Sequence, residues 1–320
     1  MNDSGHLPVM PAEVLEALAP VAGETVVDCT AGRGGHAALL AERIGRSGTL
    51  VLMDADRGNL EFASERVRAL SGAPRVVPVH ARFERVGMEL GRLGLRADGL
   101  LADLGFASTQ MDDPARGFSF SRPGPLDMRL DTSEGLTAES LLAEIPEREL
   151  ADLIFELGED PFARRIARSI VERRREQPLR TTQDLADAVV RAYGPRARHS
   201  RMHPATRTFM AIRIAVNREL ECLDNLLDGL GGALSHLHRG EGTWLGANAR
   251  LAFLSFHSLE DRCIKRAMVD WDRQGWATRL HRKPAVAGET EHLHNPRSRS
   301  AKLRAVRVQP RQEDAPRQNP

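Results

Sequence analysis

The sequence predicts an α/β protein whose core is a doubly wound, mostly parallel, Rossmann-like sheet. Short β-branched runs alternate with helical segments through the first part of the chain, an order typical of parallel strands joined by helices. Acidic residues end three of these runs, at Asp28, Asp54 and Asp103. Ligands of such sheets bind outside the carboxyl ends of the strands. The alternation stops after Gln110 and returns near Arg250, which indicates a helical segment inserted into the sheet domain.

Four strands are predicted before the insertion. The first contains the β-branched pair Val26 and Val27 and ends at Asp28. The other three cover Thr49–Met53, Arg75–Val79 and Asp98–Asp103. A helix is predicted after the first strand, and a second one continues through Ser64–Leu70.

The middle of the chain has helical rather than strand periodicity. Thr181 and Thr182 can cap a helix over Gln183–Tyr193. A single long helix is predicted after Pro204. Its apolar side is formed by Phe209, Ile212, Val216, Leu220, Leu223 and Leu227.

Strand patterns return at Arg250–Phe256 and Lys302–Val308, with a helix from Leu259 between them. The predicted division is therefore a discontinuous core domain, an inserted helical substrate-recognition domain and a flexible, Pro-rich tail. Their boundaries are 1–110 and 214–310 for the core, 111–213 for the insertion and 311–320 for the tail.

The segment after the first strand is a glycine loop that can hold a nucleotide-like cofactor. Gly32, Gly34 and Gly35 permit backbone angles and close approaches that a Cβ would forbid. The helix that begins at His36 would point its free N–H groups at the ligand.

The acid before the loop distinguishes it from a dinucleotide fingerprint. The pattern from Asp28 is Asp-x-Thr-x-Gly-x-Gly-Gly, whereas dinucleotide folds use Gly-x-Gly-x-x-Gly. A carboxylate suits a cationic amino-acid tail, so S-adenosylmethionine is favoured over a pyrophosphate ligand. Asp54 can accept hydrogen bonds from both ribose hydroxyls. NAD and a structural turn without a ligand are the alternatives.

Composition excludes several classes of protein. The 320 residues suffice for one large domain with an insertion or for two domains. No run approaches the ~20 apolar residues of a membrane helix, and the first residues lack a secretory signal. The three cysteines, Cys29, Cys222 and Cys263, are odd in number and far apart. We therefore expect a cytoplasmic protein with reduced thiols, no membrane partner and no metal site.

Charge is sorted along the chain although the net charge is only +1. Residues 111–160 hold 4 Arg and 13 acids, while residues 161–213 hold 13 Arg and 4 acids. Residues 262–311 again hold 13 Arg or Lys and 4 acids. Arginine suits phosphate and stacked bases, so a polyanionic substrate is plausible, although genome composition can produce the same bias at any single position.

Several loops combine aromatic, basic and turn residues in a way that suits RNA. Arg116–Phe120 contains Phe118 and Phe120, and Gly124–Arg129 ends in Arg129. Such loops can stack a flipped base and hold its sugar-phosphate. Two further segments carry basic residues beside late strands, namely Phe256–Arg262, with His257 and Arg262, and Asn295–Arg304, with Arg297 and Arg299.

These segments resemble the RsmH (MraW) family of ribosomal RNA methyltransferases over nearly the whole chain. The motifs that carry the resemblance are Asp28–His36, Arg116–Phe120, Pro125–Arg129, His203–Phe209 and Ser255–Arg262. The resemblance implies a class I S-adenosylmethionine methyltransferase core with an inserted helical domain. It also implies direct in-line methylation of the exocyclic N4 of cytidine 1402 in the 16S rRNA of the small ribosomal subunit.

The resemblance further implies a set of cofactor contacts, in which Asp54 takes the ribose and Phe83 and Asp103 flank the adenine. With the loop residues, the predicted cofactor site comprises Asp28, Gly32, Gly34, Gly35, His36, Asp54, Phe83, Asp103 and Gln110. The sequence departs from the family pattern at Ala37, at Met210 and at the pair Phe106 and Ala107. Structural alternatives are a helix-start role for His36 and a core position for Phe83.

For catalysis we expect Asp103, or a backbone carbonyl within Leu104–Ser108, to accept a hydrogen bond from N4. The predicted RNA contacts are Phe118, Phe120, Arg129, Arg173, Arg174, Arg175, His257, Arg262, Arg297 and Arg299. His257 has a structural alternative at the strand end. The sequence leaves open a monomer or a dimer.

Two other functions compete. DNA and small-molecule amino-methyltransferases usually carry an acid, Ser or Asn followed by Pro-Pro-aromatic after the fourth strand, and this tetrapeptide is absent here. The other rival is a non-catalytic ribosome-assembly factor, which the intact glycine loop and its downstream acids disfavour.

Overall fold

The structure is a computed structural model that describes residues 7–105, 108–199 and 202–309. The tail predicted at 311–320 and the pair Phe106 and Ala107 lie outside the described residues. The chain divides into two compact units, the first comprising Met1–Gly105 with Glu221–Pro320 and the second Phe106–Leu220. The sequence analysis placed these crossings near residues 110 and 213.

The first unit is organised by one sheet with the strand order β3-β2-β1-β4-β5-β7-β6 in the described part of the chain. The strands are β1 Thr25–Asp28, β2 Thr49–Asp54, β3 Arg75–His80, β4 Ala97–Asp103, β5 Leu245–Ser255, β6 Ala277–Arg279 and β7 Lys302–Val308. The pairs from β3 through β5 are parallel, and β7 is antiparallel to both of its neighbours. This is the mostly parallel, doubly wound arrangement that the alternating sequence predicts.

Helices cover both faces of the sheet. Those of the first unit are α1 Pro11–Leu18, α2 Gly35–Ile44, α3 Arg57–Arg68, α4 Val86–Leu93, α12 Ser258–Arg273 and α13 Glu289–His294, together with α11 Glu219–His238, which begins at the boundary. Alternate strand residues enter different cores: Val26 packs with α1, α2 and α3, while Val27 packs with α4, α11 and α12. This two-residue period is what strands buried on both faces require. No helix of the described residues is long and apolar enough to span a membrane.

The second unit is helical and has its own hydrophobic core. Its helices are α5 Ser108–Asp112, α6 Ala138–Glu144, α7 Glu147–Gly158, α8 Ala163–Glu176, α9 Thr182–Tyr193 and α10 Ala205–Asn217. The predicted cap is present, because the Thr181 side chain accepts from Asp184 N in a capping box with Asp184.

The prediction of a single long helix after Pro204 is wrong. The chain breaks at Arg218, which adopts a left-handed conformation with φ 52° between α10 and α11. Phe209 and Ile212 then pack in the core of the second unit, whereas Leu223 and Leu227 pack in the first. One continuous apolar stripe in the sequence therefore serves two separate cores.

Candidate functional site

The glycine loop between β1 and α2 is held by hydrogen bonds to the ends of neighbouring strands. Gly32 N donates to Asp54 Oδ2 at 2.7 Å, and Asp56 N donates to Asp54 Oδ1 at 2.7 Å. Asp103 N donates to Thr30 Oγ1 at 2.7 Å. The ends of β1, β2 and β4 are thus joined through the loop at the edge of the sheet where ligands of doubly wound folds bind.

Two of the loop glycines allow close packing of the loop itself. Gly34 has φ +72°, and a Cβ there would lie 3.1 Å from Cα of Ala63 on α3. A Cβ at Gly35 would lie 3.2 Å from two side-chain carbons of Pro8. Larger residues at these positions would push the loop away from its supports, so the glycines fix its path as well as its backbone angles.

Three aspartates at this edge resist ionisation. Burial raises the pKa of Asp28 to about 7, that of Asp54 to about 6 and that of Asp103 to about 7. The charges of Asp54 and Asp103 add to the effect on Asp28. For Asp103, the positive charge of Arg297 opposes the rise. A cation bound here would favour the ionised form of all three side chains.

His36 faces this cluster from the first turn of α2. Its side chain is only 6% exposed, and its Nε2 lies 3.8 Å from Asp103 Oδ2. The predicted cofactor residue His36 and the predicted catalytic residue Asp103 are therefore brought together by the structure.

The remaining predicted cofactor residues lie in other surroundings. Phe83 opens a short turn after β3 and packs partly against the core of the first unit. The strand order puts β2 and β1 between Phe83 and Asp103, so they would reach an adenine from opposite sides. Gln110 is buried in α5 of the second unit. Their contacts with a cofactor stay predictions.

The second unit contains a cavity of about 530 Å³ that brings two distant sequence motifs together. Phe118 and Phe120 come from the motif Arg116–Phe120. Thr206 and Phe209 come from the motif His203–Phe209, which Met210 directly follows. The Phe120 ring stacks on His203 with centroids 4.4 Å apart and meets the Phe209 ring edge-on at 5.0 Å. The volume lies within the range of small-ligand sites, and the walls offer aromatic faces and arginines.

Arg129, a predicted RNA contact, is held inside its own loop. Its Nε and Nη2 donate to the two oxygens of Asp127 at 2.9 Å each. The paired Arg129 helps to lower the pKa of Asp127, against the opposing effect of burial. The sequence analysis missed the neighbouring support, Asn217, which accepts from Leu130 N at 2.7 Å and donates to Met128 O at 2.7 Å.

The three consecutive arginines of α8 do not share one surface. Arg173 Nη2 lies 3.3 Å from Asp184 Oδ1, and Arg173 also donates to Gln177 O. Arg174 donates to Leu142 O, whereas Arg175 is exposed. Helical geometry turns successive residues by about 100°, and two of the three meet internal partners. The RNA contacts expected of these arginines stay predictions.

The predicted RNA contacts in the two late basic segments also differ in their surroundings. His257 is the N-cap of α12: its ring accepts from Glu260 N at 3.5 Å, in agreement with the structural alternative. Arg262 and Arg299 are exposed, and Arg297 is half-buried and acts electrostatically on Asp103.

Comparison with known proteins identifies the group to which this site belongs. Residues 3–309 match the family model described as the MraW methylase family. The chain belongs to this family. Its fold is accordingly that of a class I methyltransferase, and S-adenosylmethionine is its methyl donor.

Relatives match along almost their full length. A protein of Sorangium cellulosum named ribosomal RNA small subunit methyltransferase H is 45% identical over 94% of this chain and 90% of its own. Proteins of the same name from Citrifermentans bemidjiense and Symbiobacterium thermophilum are 41% and 43% identical, covering 96% and 94% of this chain and 99% and 96% of their own.

The residues at the glycine loop fit this cofactor. S-adenosylmethionine is cationic at its sulfonium and its amino group. A positive charge at the aspartate cluster would stabilise the ionised carboxylates, whose pKa values are raised in its absence. Asp103 Oδ1 is buried and accepts no hydrogen bond within the described residues. Each Asp54 oxygen accepts one backbone N–H and keeps a lone pair for a ribose hydroxyl.

Proposed function

We propose that this chain methylates the exocyclic N4 of cytidine 1402 in 16S rRNA within the small ribosomal subunit of the cytoplasm. The observation that carries the proposal is the aspartate cluster around the glycine loop, in a chain of the MraW methylase family. The names of the relatives support the small-subunit rRNA as the substrate.

Bound S-adenosylmethionine supplies an activated methyl group on a sulfonium. The chain must then hold N4 in line with the methyl carbon and sulfur, an alignment that contributes roughly 7–11 kcal/mol in ideal systems. Asp54 holds the ribose, and the backbone of Gly32 is fixed by the same carboxylate.

Asp103 has a second task beside cofactor binding. Cytosine N4 is a poor nucleophile because its lone pair is delocalised into the ring. A hydrogen bond from the amino group to the buried Asp103 Oδ1 favours a pyramidal nitrogen and stabilises the developing positive charge. No strong base is needed, since the departing proton becomes acidic once the methyl group has transferred. A backbone carbonyl following β4 is the alternative acceptor.

The cavity of the second unit is proposed to hold a nucleoside of the substrate. Its aromatic rings suit stacking of an unpaired base, and Arg122 at its wall suits the sugar-phosphate, whereas Arg213 is paired with Glu219.

The test is incubation with labelled S-adenosylmethionine and small subunits that lack the modification, beside naked 16S rRNA, followed by nucleoside mass spectrometry. We expect N4-methylcytidine at position 1402. The naked-RNA lane defines which assembly state is the substrate. Saturable cofactor binding without label in either lane would contradict the proposal and favour a non-catalytic assembly factor or another substrate.

A further inference from the structure

Two arginines of the second unit lie near one aromatic ring. The guanidinium carbon of Arg165, on α8, lies 5.9 Å from the centroid of the Phe162 ring. The guanidinium carbon of Arg196, in the short turn Gly194–His199, lies 5.9 Å from the same centroid. Both distances are within the range of cation–π attraction. We call Phe162, Arg165 and Arg196 the Phe162 cluster.

The aromatic base of the cluster is rigidly held. The Tyr193 ring meets the Phe162 ring edge-on at 4.9 Å, and Tyr193 OH donates to Asp160 Oδ2 at 2.8 Å. Phe162 N donates to Asp160 Oδ1 at 2.9 Å. Asp160 is fully buried, so the acid nearest to the cluster in sequence is turned inward and its oxygens already accept hydrogen bonds.

The cluster is strongly positive at its surface. Arg165 and Arg196 are exposed, and neither lies within ion-pair distance of a carboxylate among the described residues. Arg164 and Arg198 beside them are exposed too. The sequence contains no Asp or Glu between Asp187 and Glu219. Apart from the buried Asp160, the acids next nearest to Phe162 and Arg165 along the chain are the exposed Glu159 and Glu172, so positive charge prevails.

The cluster and the cavity of the second unit share a support, the helix α10. Thr206, Met210 and Arg213 of this helix line the cavity. The next residue after Thr206, Arg207, donates to Glu159 O at 2.7 Å, at the turn that leads into Phe162. One helix thus fixes both features on neighbouring faces.

We propose that the Phe162 cluster binds phosphate groups of the substrate RNA next to the nucleoside in the cavity. The inference rests on the proposed function and adds to it the surface that holds the flanking backbone. Guanidinium groups bind phosphate through paired N–H donors, and the cation–π contact with Phe162 limits their freedom, so that less side-chain entropy is lost on binding. Arg173 and Arg174 do not offer this, because their guanidiniums already donate to internal acceptors.

The experiment compares two double variants of the full-length protein. Arg165→Gln with Arg196→Gln removes the cluster's charge. Arg43→Gln with Arg46→Gln removes the same charge from exposed residues near the end of α2, at the opposite edge of the sheet from the glycine loop. Affinity for naked 16S rRNA and for unmodified small subunits is measured over a series of salt concentrations.

For the cluster variant we expect roughly tenfold or greater weakening and a log–log salt slope that is shallower by about 1.4–1.8, the value for two lost phosphate contacts. The control variant should retain the wild-type slope to within about 0.5. Affinity for S-adenosylmethionine and the melting temperature should be unchanged in both variants. As a second variant that keeps the charge, Arg165→Lys with Arg196→Lys should recover most of the slope and only part of the affinity.

Equal slopes for the cluster variant and the wild type would overturn the inference. Weakened binding to subunits with unchanged binding to naked RNA would also overturn it, because the surface would then contact a ribosomal protein. These outcomes are distinct from a failure of the proposed function, in which the wild-type protein itself would not form N4-methylcytidine. If the Gln variant unfolds, the single variant Arg196→Glu supplies the same comparison from a short exposed turn.

Discussion

Gly34 combines a left-handed backbone angle with a close contact to a neighbouring helix. Its φ of +72° is left-handed, and a Cβ there would press on Ala63 of α3. Gly94 is also left-handed, with φ +65°, but a Cβ there would meet nothing within 4 Å. Comparing an alanine substitution at Gly34 with one at Gly94 therefore separates the free-energy cost of the backbone angle from that of the contact with Ala63.

We predict that Gly34→Ala weakens S-adenosylmethionine binding at least tenfold and lowers stability by more than Gly94→Ala does. The left-handed angle alone costs about 1–2 kcal/mol in each variant. In Gly34→Ala the loop must also shift away from α3, which moves the backbone that is predicted to face the cofactor. Calorimetric titration and thermal melting measure the two effects. Equal cofactor affinities for the two variants would contradict this role of the close contact.

The raised pKa values of the aspartate cluster predict a pH dependence. Without cofactor, burial holds Asp28 and Asp103 partly protonated up to about pH 7 and Asp54 up to about pH 6. These pKa values exceed the unfolded value of 3.8, so the folded protein binds these protons more tightly than the unfolded chain does. The stability that this preference contributes is complete below pH 3.8 and is lost as pH rises towards 7. A bound cation favours the carboxylates, so binding releases protons.

We therefore expect affinity for S-adenosylmethionine to rise between pH 5.5 and 7.5 and then to level off. Titrations in two buffers of different ionisation enthalpy report the proton release directly. Asp103→Asn should flatten part of the rise, since it removes one of the titrating carboxyls. An affinity independent of pH, with no proton release, would show that the cluster is not the cation site.

Among the elements, α10 supports a loop of the second unit through Asn217, the last residue of the helix. Its amide joins Met128 O, Leu130 N and Arg213 O. Met128 has φ 63°, so this loop is held in a conformation that is unfavourable for methionine. The loop follows the aromatic segment at the cavity wall.

We predict that Asn217→Ala destabilises the protein by about 2–4 kcal/mol, because buried backbone groups lose their partners. Asn217→Asp is the matched control: it can still accept from Leu130 N but can no longer donate to Met128 O. Its carboxylate would be buried against the Met128 and Arg213 carbonyl oxygens, so it should lose at least as much stability as the alanine variant. Cofactor affinity should be unchanged in both, while RNA methylation falls. An alanine variant with wild-type melting would mean that the loop is held by other contacts.

The elements also show what local sequence could and could not predict. Strands β1 to β5 and β7 and the cap at Thr181 follow from patterns of a few residues, and the sequence analysis located them. The break at Arg218 was missed because neither Gly nor Pro marks it. The three-residue strand β6 was missed because it is too short to show a period.

At the scale of the whole molecule, the sequence analysis recognised an interrupted sheet domain but not the internal partners of its arginines. Charge counts identified a basic region over residues 161–213, yet counts cannot distinguish Arg173, which pairs inward, from Arg165, which lies exposed over a ring. That distinction depends on residues far apart in sequence, such as Asp184 for Arg173 and Phe162 with Arg196 for the cluster. Likewise, the acids at strand ends were evident from sequence, but the bond from Gly32 to Asp54 appears only once β1 and β2 pair.

Because the two units have separate cores, we predict that cofactor binding slows hydrogen exchange mainly in the first unit. Hydrogen exchange is measured with and without S-adenosylhomocysteine, the demethylated product. Exchange should slow most at the amides of Ala31–Leu40 and at the end of β2, since these flank the glycine loop. Helices α8 and α9 pack in the core of the second unit and should exchange at unchanged rates. Slower exchange in α5 would support the predicted contact of Gln110, because that helix carries it. Protection spread evenly over both units would contradict a local effect, and it would mean that the cofactor stabilises the molecule as one cooperative body.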